Sequence, residues 1–219
     1  MDNFEQFIVK SRYCKWLPEQ NRREDWTETV SRYMRYMMNR FSLDCTDNDI
    51  LDIWSAVENR EVFPSMRALM TAGPAADVDD VCLYNCSYVA VNEIRSFSDI
   101  MYILCCGTGV GFSCESENTE QLPEIPDEIV RDMSTTIEVP DSRVGWADSF
   151  KELLTLLYEG THPTWDTSKI RPAGARLKTF GGRASGPEPL ERLFRYTVKA
   201  FMNARGRKLT SLEVHDIVC

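Results

Sequence analysis

Two short apolar runs flank one helix-length segment between residues 82 and 114, and this order restricts the fold more than any other feature of the chain. The run CLYNCSYVAV at 82–91 is rich in aromatic and β-branched residues and reads as a buried strand. VGFSC at 110–114 resumes as strand. Between them SFSDIMYILCC carries Ile100, Met101, Ile103 and Leu104 at helical spacing, with Ser98 or Asp99 as its cap and Gly107 as a left-handed stop. A further helix is expected from Asp148, capped by that residue, burying Phe150, Leu153, Leu154 and Leu157 and stopping at Gly160. Alternation of this kind points to an α/β domain.

Ahead of it stands a helical layer. Segments 4–17 and 25–41 place apolar residues at helical spacing, with Trp26, Val30, Tyr33, Met34, Met37 and Phe41 on one stripe that reads as core. Thr46 and Asp49 form a capping box ahead of Ile50, Leu51, Ile53, Trp54 and Val57. The expected division is therefore a helical region over 1–62 and an α/β region over 63–219, with the polar, proline-containing stretch 115–141 as a surface excursion or irregular hairpin. Toward the end a helix is expected over 188–203, followed by a capping box of Thr210 and Glu213 that opens a last helix over LEVHDIVC. An apolar helix without a C-cap at the final residue leads to the expectation that the functional unit continues in another segment.

Composition sets limits on partners. With 43% hydrophobic and 27% charged residues the chain can build a sizeable core, and a net charge of -9 disfavours a surface made to grip nucleic acid or anionic lipid. No run approaches the roughly 18 apolar residues of a membrane span, and the start MDNFEQF lacks the order of a secretory signal, so a cytoplasmic chain is expected. Its eight cysteines then read as free thiols, metal ligands or redox groups rather than structural bridges.

Three constellations carry possible chemistry. Gly107, Gly109 and Gly111 in CCGTGVGFS do not make a dinucleotide fingerprint, because Phe112 stands where the third glycine belongs and the loop leaves a helix to enter a strand. Glycine here lets backbone approach a ligand or a neighbouring strand. Cys82, Cys86, Cys105, Cys106 and Cys114 are poorly spaced for zinc. In an extended strand Cys82, Tyr84 and Cys86 share one face, so Cys86 could look into a pocket or could be inert filler. Finally, Ser168 to Gly186 holds Lys169, Arg171, Arg176, Lys178 and Arg183 with no acidic residue, either a solvated loop or a glycine-rich cationic loop suited to phosphate.

With these segments in view the chain resembles the ribonucleotide reductases, most closely the monomeric adenosylcobalamin-dependent (class II) ribonucleoside-triphosphate reductases. The resemblance rests on FIVKSRYCKWLPEQNRREDWTETV, PSMRALMTAG, YNCSYVAV, GTGVGF, RVGWADSFKELL, SKIRPAGARLKTFGGRASGPEPL and GRKLTSLEVHDIVC. It implies the helical preface and first half of a ten-stranded α/β barrel, the amino-terminal part of such an enzyme. It assigns Cys86 as one of two cysteines that reduce the ribose 2′ position, an accessible thiol in contrast to Cys45 and Cys114, which are expected to be buried.

By the same resemblance Ser65 and Asn85 lie near substrate, Thr108 and Gly109 present backbone to it, and the basic loop carries information between an allosteric nucleotide and the substrate base, with Lys178, Gly181, Gly182 and Arg183 as its contacts. Asp141, Ser142, Gly145 and Trp146 help to form an effector site. The implied function is conversion of ribonucleoside triphosphates to deoxyribonucleoside triphosphates under allosteric control, with thiyl-radical chemistry and adenosylcobalamin as radical source. The implied partners are a complementary carboxy-terminal reductase chain that holds the radical cysteine, a dNTP effector and a thioredoxin-type reductant, with no nucleic acid and no membrane. The alternatives are a reductase fragment with a metal-based radical source and a non-catalytic nucleotide-binding remnant.

Overall fold

The computed structural model describes residues 2–40, 46–177 and 182–219. These form two compact units, Met1–Asn85 with Leu177–Gly182, and Cys86–Arg176 with Arg183–Cys219.

In the first unit α1 (Asn3–Arg12) is opened by an Asp2–Glu5 capping box and gives way to a small antiparallel pair, β1 (Trp16–Leu17) and β2 (Arg22–Arg23). The helix expected over 4–17 therefore ends at Arg12, because the chain turns into this pair through the left-handed Asn21. Helix α2 (Trp26–Arg40) follows, then α3 (Asp47–Glu58), whose Thr46–Asp49 capping box forms as the sequence predicts. Two short helices, α4 (Met66–Thr71) and α5 (Pro74–Val78), extend the helical layer. Val9, Cys14, Trp26, Val30, Met34, Val57 and Leu69 make its core.

Beside that core lies a buried ion pair. Arg32 reaches both carboxylate oxygens of Glu24, at 2.8 and 2.9 Å, and also donates to the carbonyls of Leu69 and Ala72 at the end of α4. The backbone N–H of Lys15 donates to the same carboxylate at 3.0 Å, and its Nζ donates to Ala72 O at 2.9 Å. One carboxylate thus organises β1, α2 and the exit of α4. Burial, followed by the charge of Arg32, pushes the Lys15 ammonium down to about 8.

The second unit is two strand–helix–strand crossovers. Strand β3 (Cys86–Ala90) leads through α6 (Ile94–Cys105) to β4 (Gly109–Ser113), which pairs with it in parallel, Cys86 opposite Gly109. After the short α7 (Ser116–Thr119), strand β5 (Val130–Glu138) leads through α8 (Arg143–Tyr158) to β6 (Thr161–Asp166), again parallel. Helices α9 (Glu188–Asn203) and α10 (Ser211–Val218) close the unit, α9 over the residues expected and α10 behind its predicted Thr210–Glu213 box. Phe97, Ile137, Leu153, Leu154, Phe194, Phe201 and Ile217 are among its buried core, with Trp165 packed edge-on to Phe194.

Several expectations need correction here. Strand β3 begins at Cys86 and not at Cys82, since Asp79 accepts from Val81 N at 2.8 Å and winds Asp80–Leu83 into a 3₁₀ turn. Cys82 is buried in that turn and shares no strand face with Cys86. Ser98 and Asp99 lie inside α6, which starts four residues earlier than Ser98; the Ser98 hydroxyl bonds back to Arg95 O. Helix α8 is capped by Ser142 rather than Asp148. The stretch 115–141 contains a nine-residue strand, and β6 was not foreseen. Cys114 is half-buried rather than buried, and Cys45 and Phe41 lie outside the described residues.

Glu24→Gln should lower the stability of the first unit by about 3–5 kcal/mol, because it leaves Arg32 buried without its counter-charge. Burial raises the Glu24 carboxyl, but Arg32 and the Lys15 N–H outweigh it and hold the group below the ordinary carboxylate range. A depressed carboxyl contributes stability above its unfolded pKa, and the contribution is lost as pH falls through the folded value. Thermal melts between neutral and acid pH should accordingly show a steeper acid loss in the wild type than in Glu24→Gln.

Candidate functional site

Cys86 is the first residue of β3, and its neighbours explain its accessibility. The strand alternates, with Cys86 and Tyr88 exposed while Val89 packs against the core. The parallel register sets Gly109 opposite Cys86, and the Ser87 hydroxyl donates to Gly109 O at 3.2 Å. The result is an exposed free thiol beside a strand start that carries no side chain.

The turn that feeds β4 is fixed by backbone geometry. Gly107 sits at φ +82°, a conformation that favours glycine, and ends α6 as the sequence predicts. Thr108 is buried and its N–H donates to Ile103 O at 3.3 Å, while Gly109 is exposed. Gly111 plays a lesser part: a Cβ there would meet Ser87 O at 3.7 Å, an ordinary contact. Two of the thiols near this turn differ sharply from Cys86. Burial pushes the Cys105 thiol up, and Cys106 is fully buried with Arg143 NH1 at 3.1 Å from its Sγ. Sequence reasoning missed Arg143, because the helix that it opens was expected to start only at Asp148.

A second group gathers at the start of α8. Ser142 Oγ accepts from Gly145 N at 2.9 Å, and Trp146 N donates to Ser142 O at 3.0 Å. Asp141 is held by Arg171, whose Nε lies 3.0 and 2.8 Å from its two carboxylate oxygens. Gly145 is required by space, since a Cβ would fall 2.7 Å from the Pro140 side chain and 2.8 Å from its carbonyl. Trp146 contributes to a largely apolar cavity of about 600 Å³ with Phe97, Met101, Leu193 and Tyr196.

The basic run is partly neutralised from outside itself. Lys169 pairs with Glu138 and Arg171 with Asp141, so two of its cations serve the end of β5 and the approach to α8. Gly174 and Ala175 bond to Ala184, and Arg183 NH1 donates to Gly174 O at 2.8 Å, which closes the base of a hairpin. Gly182 has φ +91°, a left-handed turn position. Lys178 and Gly181 lie outside the described residues. In the first unit Ser65 is exposed and caps α4, accepting from Ala68 N at 3.4 Å, and Asn85 is exposed at the unit's end.

Comparison with known proteins gives these positions a context. Residues 116–199 match a family model described as B12-dependent ribonucleotide reductase, insertion domain. An adenosylcobalamin-dependent ribonucleoside-triphosphate reductase of Lactobacillus helveticus is 27% identical over 280 residues, covering 95% of this chain and 37% of that protein. The enzyme of the same name from Lactobacillus leichmannii is 28% identical, and a probable one from Dictyostelium discoideum 27% identical over 96% of this chain. The chain thus spans 37% of the length of the first of these relatives. That alignment is longer than the 219 residues of the chain, so the relative holds segments within the stretch that the chain lacks. A crystal structure of a B12-dependent (class II) ribonucleotide reductase matches with a TM-score of 0.79 at 24% identity, over 97% of this chain and 39% of that one, which shows a shared fold.

Gly145→Ala should cost about 1–3 kcal/mol and loosen the first turn of α8, because the added methyl group collides with Pro140. Urea denaturation would measure the loss, and hydrogen exchange at residues 143–147 would show where it falls.

Proposed function

We propose that this chain, a relative of the adenosylcobalamin-dependent ribonucleoside-triphosphate reductases, forms the amino-terminal part of such an enzyme and supplies one of its two reducing thiols, Cys86. The observation that carries the reading is the exposed, unbridged Cys86 at the head of β3, opposite the side-chain-free Gly109. Buried thiols such as Cys82 and Cys106 cannot meet a nucleotide without local opening.

In the reaction, Cys86 and a second cysteine outside this chain are oxidised to one disulfide. Their two electrons and two protons replace the 2′ carbon–oxygen bond of the ribose by a carbon–hydrogen bond and release water. In this reading Thr108 and Gly109 offer backbone to the substrate. The basic loop, through Lys178, Gly181, Gly182 and Arg183, meets phosphate and base. Asp141, Ser142, Gly145 and Trp146 receive a dNTP effector at the start of α8. A thioredoxin-type reductant reopens the disulfide by thiol exchange.

Adenosylcobalamin supplies the radical in this reading by cobalt–carbon homolysis. In this reading the cofactor sits in a site shared with a complementary carboxy-terminal segment, whose finger loop carries the radical cysteine and which completes the barrel that the resemblance implies.

The test is reconstitution. The chain alone should form no deoxynucleotide from a ribonucleoside triphosphate, adenosylcobalamin and a dithiol. With the complementary segment it should turn over repeatedly, and Cys86→Ser should abolish multiple turnover while the circular dichroism stays that of the wild type. Turnover by the isolated chain, or normal cycling by Cys86→Ser, would remove the assignment.

A further inference from the structure

The second unit holds another accessible thiol, whose surroundings the reaction above does not use. Cys219 is the C-cap residue of α10, its N–H donating to His215 O at 3.0 Å. That bond sets residues 215 and 219 one turn apart on a single face, and Cys219 Sγ lies 3.6 Å from His215 Nε2. The other ring nitrogen, Nδ1, is 3.2 Å from Asp216 Oδ1. An imidazole that donates from Nδ1 to a carboxylate keeps its lone pair on Nε2, which here faces the sulfur.

A second thiol stands beside this pair. Phe112, near the end of β4, packs against His215 with ring centroids 5.8 Å apart. Cys114 follows two residues later, half-buried just past the strand. Two residues of extended chain advance by about 6.7 Å and return to the same side, and four helical residues advance by about 6 Å. The step from Phe112 to Cys114 therefore matches the step from His215 to Cys219. Burial pushes the Cys114 thiol up, and the charge of Cys219 adds to the rise, so the two sulfurs lie within electrostatic reach of each other.

We propose that Cys219 and Cys114 form a dithiol site in which Cys219, with His215 as its base, attacks a small organic disulfide and Cys114 resolves the product. Cys219 passes its proton to His215 Nε2 and bonds to one sulfur of the disulfide. The sulfur–sulfur bond breaks, and the departing thiolate takes that proton. Cys114 then attacks Cys219 Sγ, expels the second organic thiolate and gives its own proton to it. Two protein thiols are thus oxidised to one disulfide by two electrons, while one organic disulfide is reduced to two thiols. The roles are unequal because the first attack needs solvent access and a base. Cys219 has both, whereas Cys114 is half-buried and its thiol is raised. The site does not depend on the role given to Cys86, which lies at the opposite end of the β3–β4 pair. Once closed, the disulfide ties the exit of β4 to the end of α10.

The test uses the reduced 219-residue chain with oxidised glutathione as the disulfide. Samples taken over time would be blocked with iodoacetamide, digested without reductant and read by mass spectrometry. A glutathione adduct should form at Cys219 and give way to a peptide linked through Cys114 and Cys219. Cys114→Ser should stop at the adduct. His215→Gln should slow adduct formation at Cys219 by about tenfold or more. In the same samples the rate at Cys86, and the circular dichroism, should stay those of the wild type. Should His215→Gln fail to fold, the linked peptide and the Cys114→Ser trap decide. A persistent Cys219 adduct in the wild type overturns the proposal. So does linkage of Cys219 to Cys105, which lines a cavity with it, or an unchanged Cys219 rate in His215→Gln.

Discussion

Parallel strand pairing is the constraint on which the second unit depends. Two parallel strands cannot be joined by a tight turn; each pair needs a crossover of a dozen or more residues, and a helix is the compact way to supply it. Helices α6 and α8 are those crossovers, and they bury Phe97, Ile100, Leu153 and Leu154 in one core. The same constraint assembles the site. Because β3 and β4 run the same way in register, Cys86 at the head of one comes to lie beside Gly109 at the head of the other, although α6 stands between them in sequence.

The first unit solves a different problem. Its elements are short, and α4 and α5 have few carbonyls that a helix of their length can satisfy internally. Arg32 and Lys15 reach the carbonyls at the end of α4, and Glu24 balances their charge at one point. A polar hub can hold together a layer whose hydrophobic cluster is modest, because every partner of the buried carboxylate is a directional donor.

How much of this could be read in advance follows from the range of the forces involved. Capping at Thr46 and Thr210, the extent of α9 and the left-handed stops at Gly107 and Gly160 depend on residues within one or two turns, and the sequence shows them directly. Strand β5 was hidden because most of its residues are exposed and its alternation is interrupted, and β6 because it is short and polar. The start of α8 was misplaced because Ser142 and Asp148 are both plausible caps. The collision that Pro140 would have with any side chain at 145 belongs to three-dimensional packing. Of the candidate site, the exposure of Cys86 and the left-handed stop at Gly107 were legible. The acids that neutralise Lys169 and Arg171 come from Glu138 and Asp141, about thirty residues away in sequence, and local charge counting could not pair them.

The irregularity in β5 has a consequence for how the chain finds its shape. Between Arg131 and Thr136 the pairing with β6 shifts register, and Asp132 accepts hydrogen bonds there from the Ser134 N–H and hydroxyl and from the Thr135 hydroxyl. A uniform strand could slide along its neighbour by two residues and still show the same face, so that misaligned pairings would compete with the correct one. A bulge defined by its own side-chain bonds removes that translational symmetry. It works as a key cut into one strand, so that only one docking of β6 lets both halves of the ladder close, and the crossover through α8 is committed to its proper alignment as soon as either half has formed.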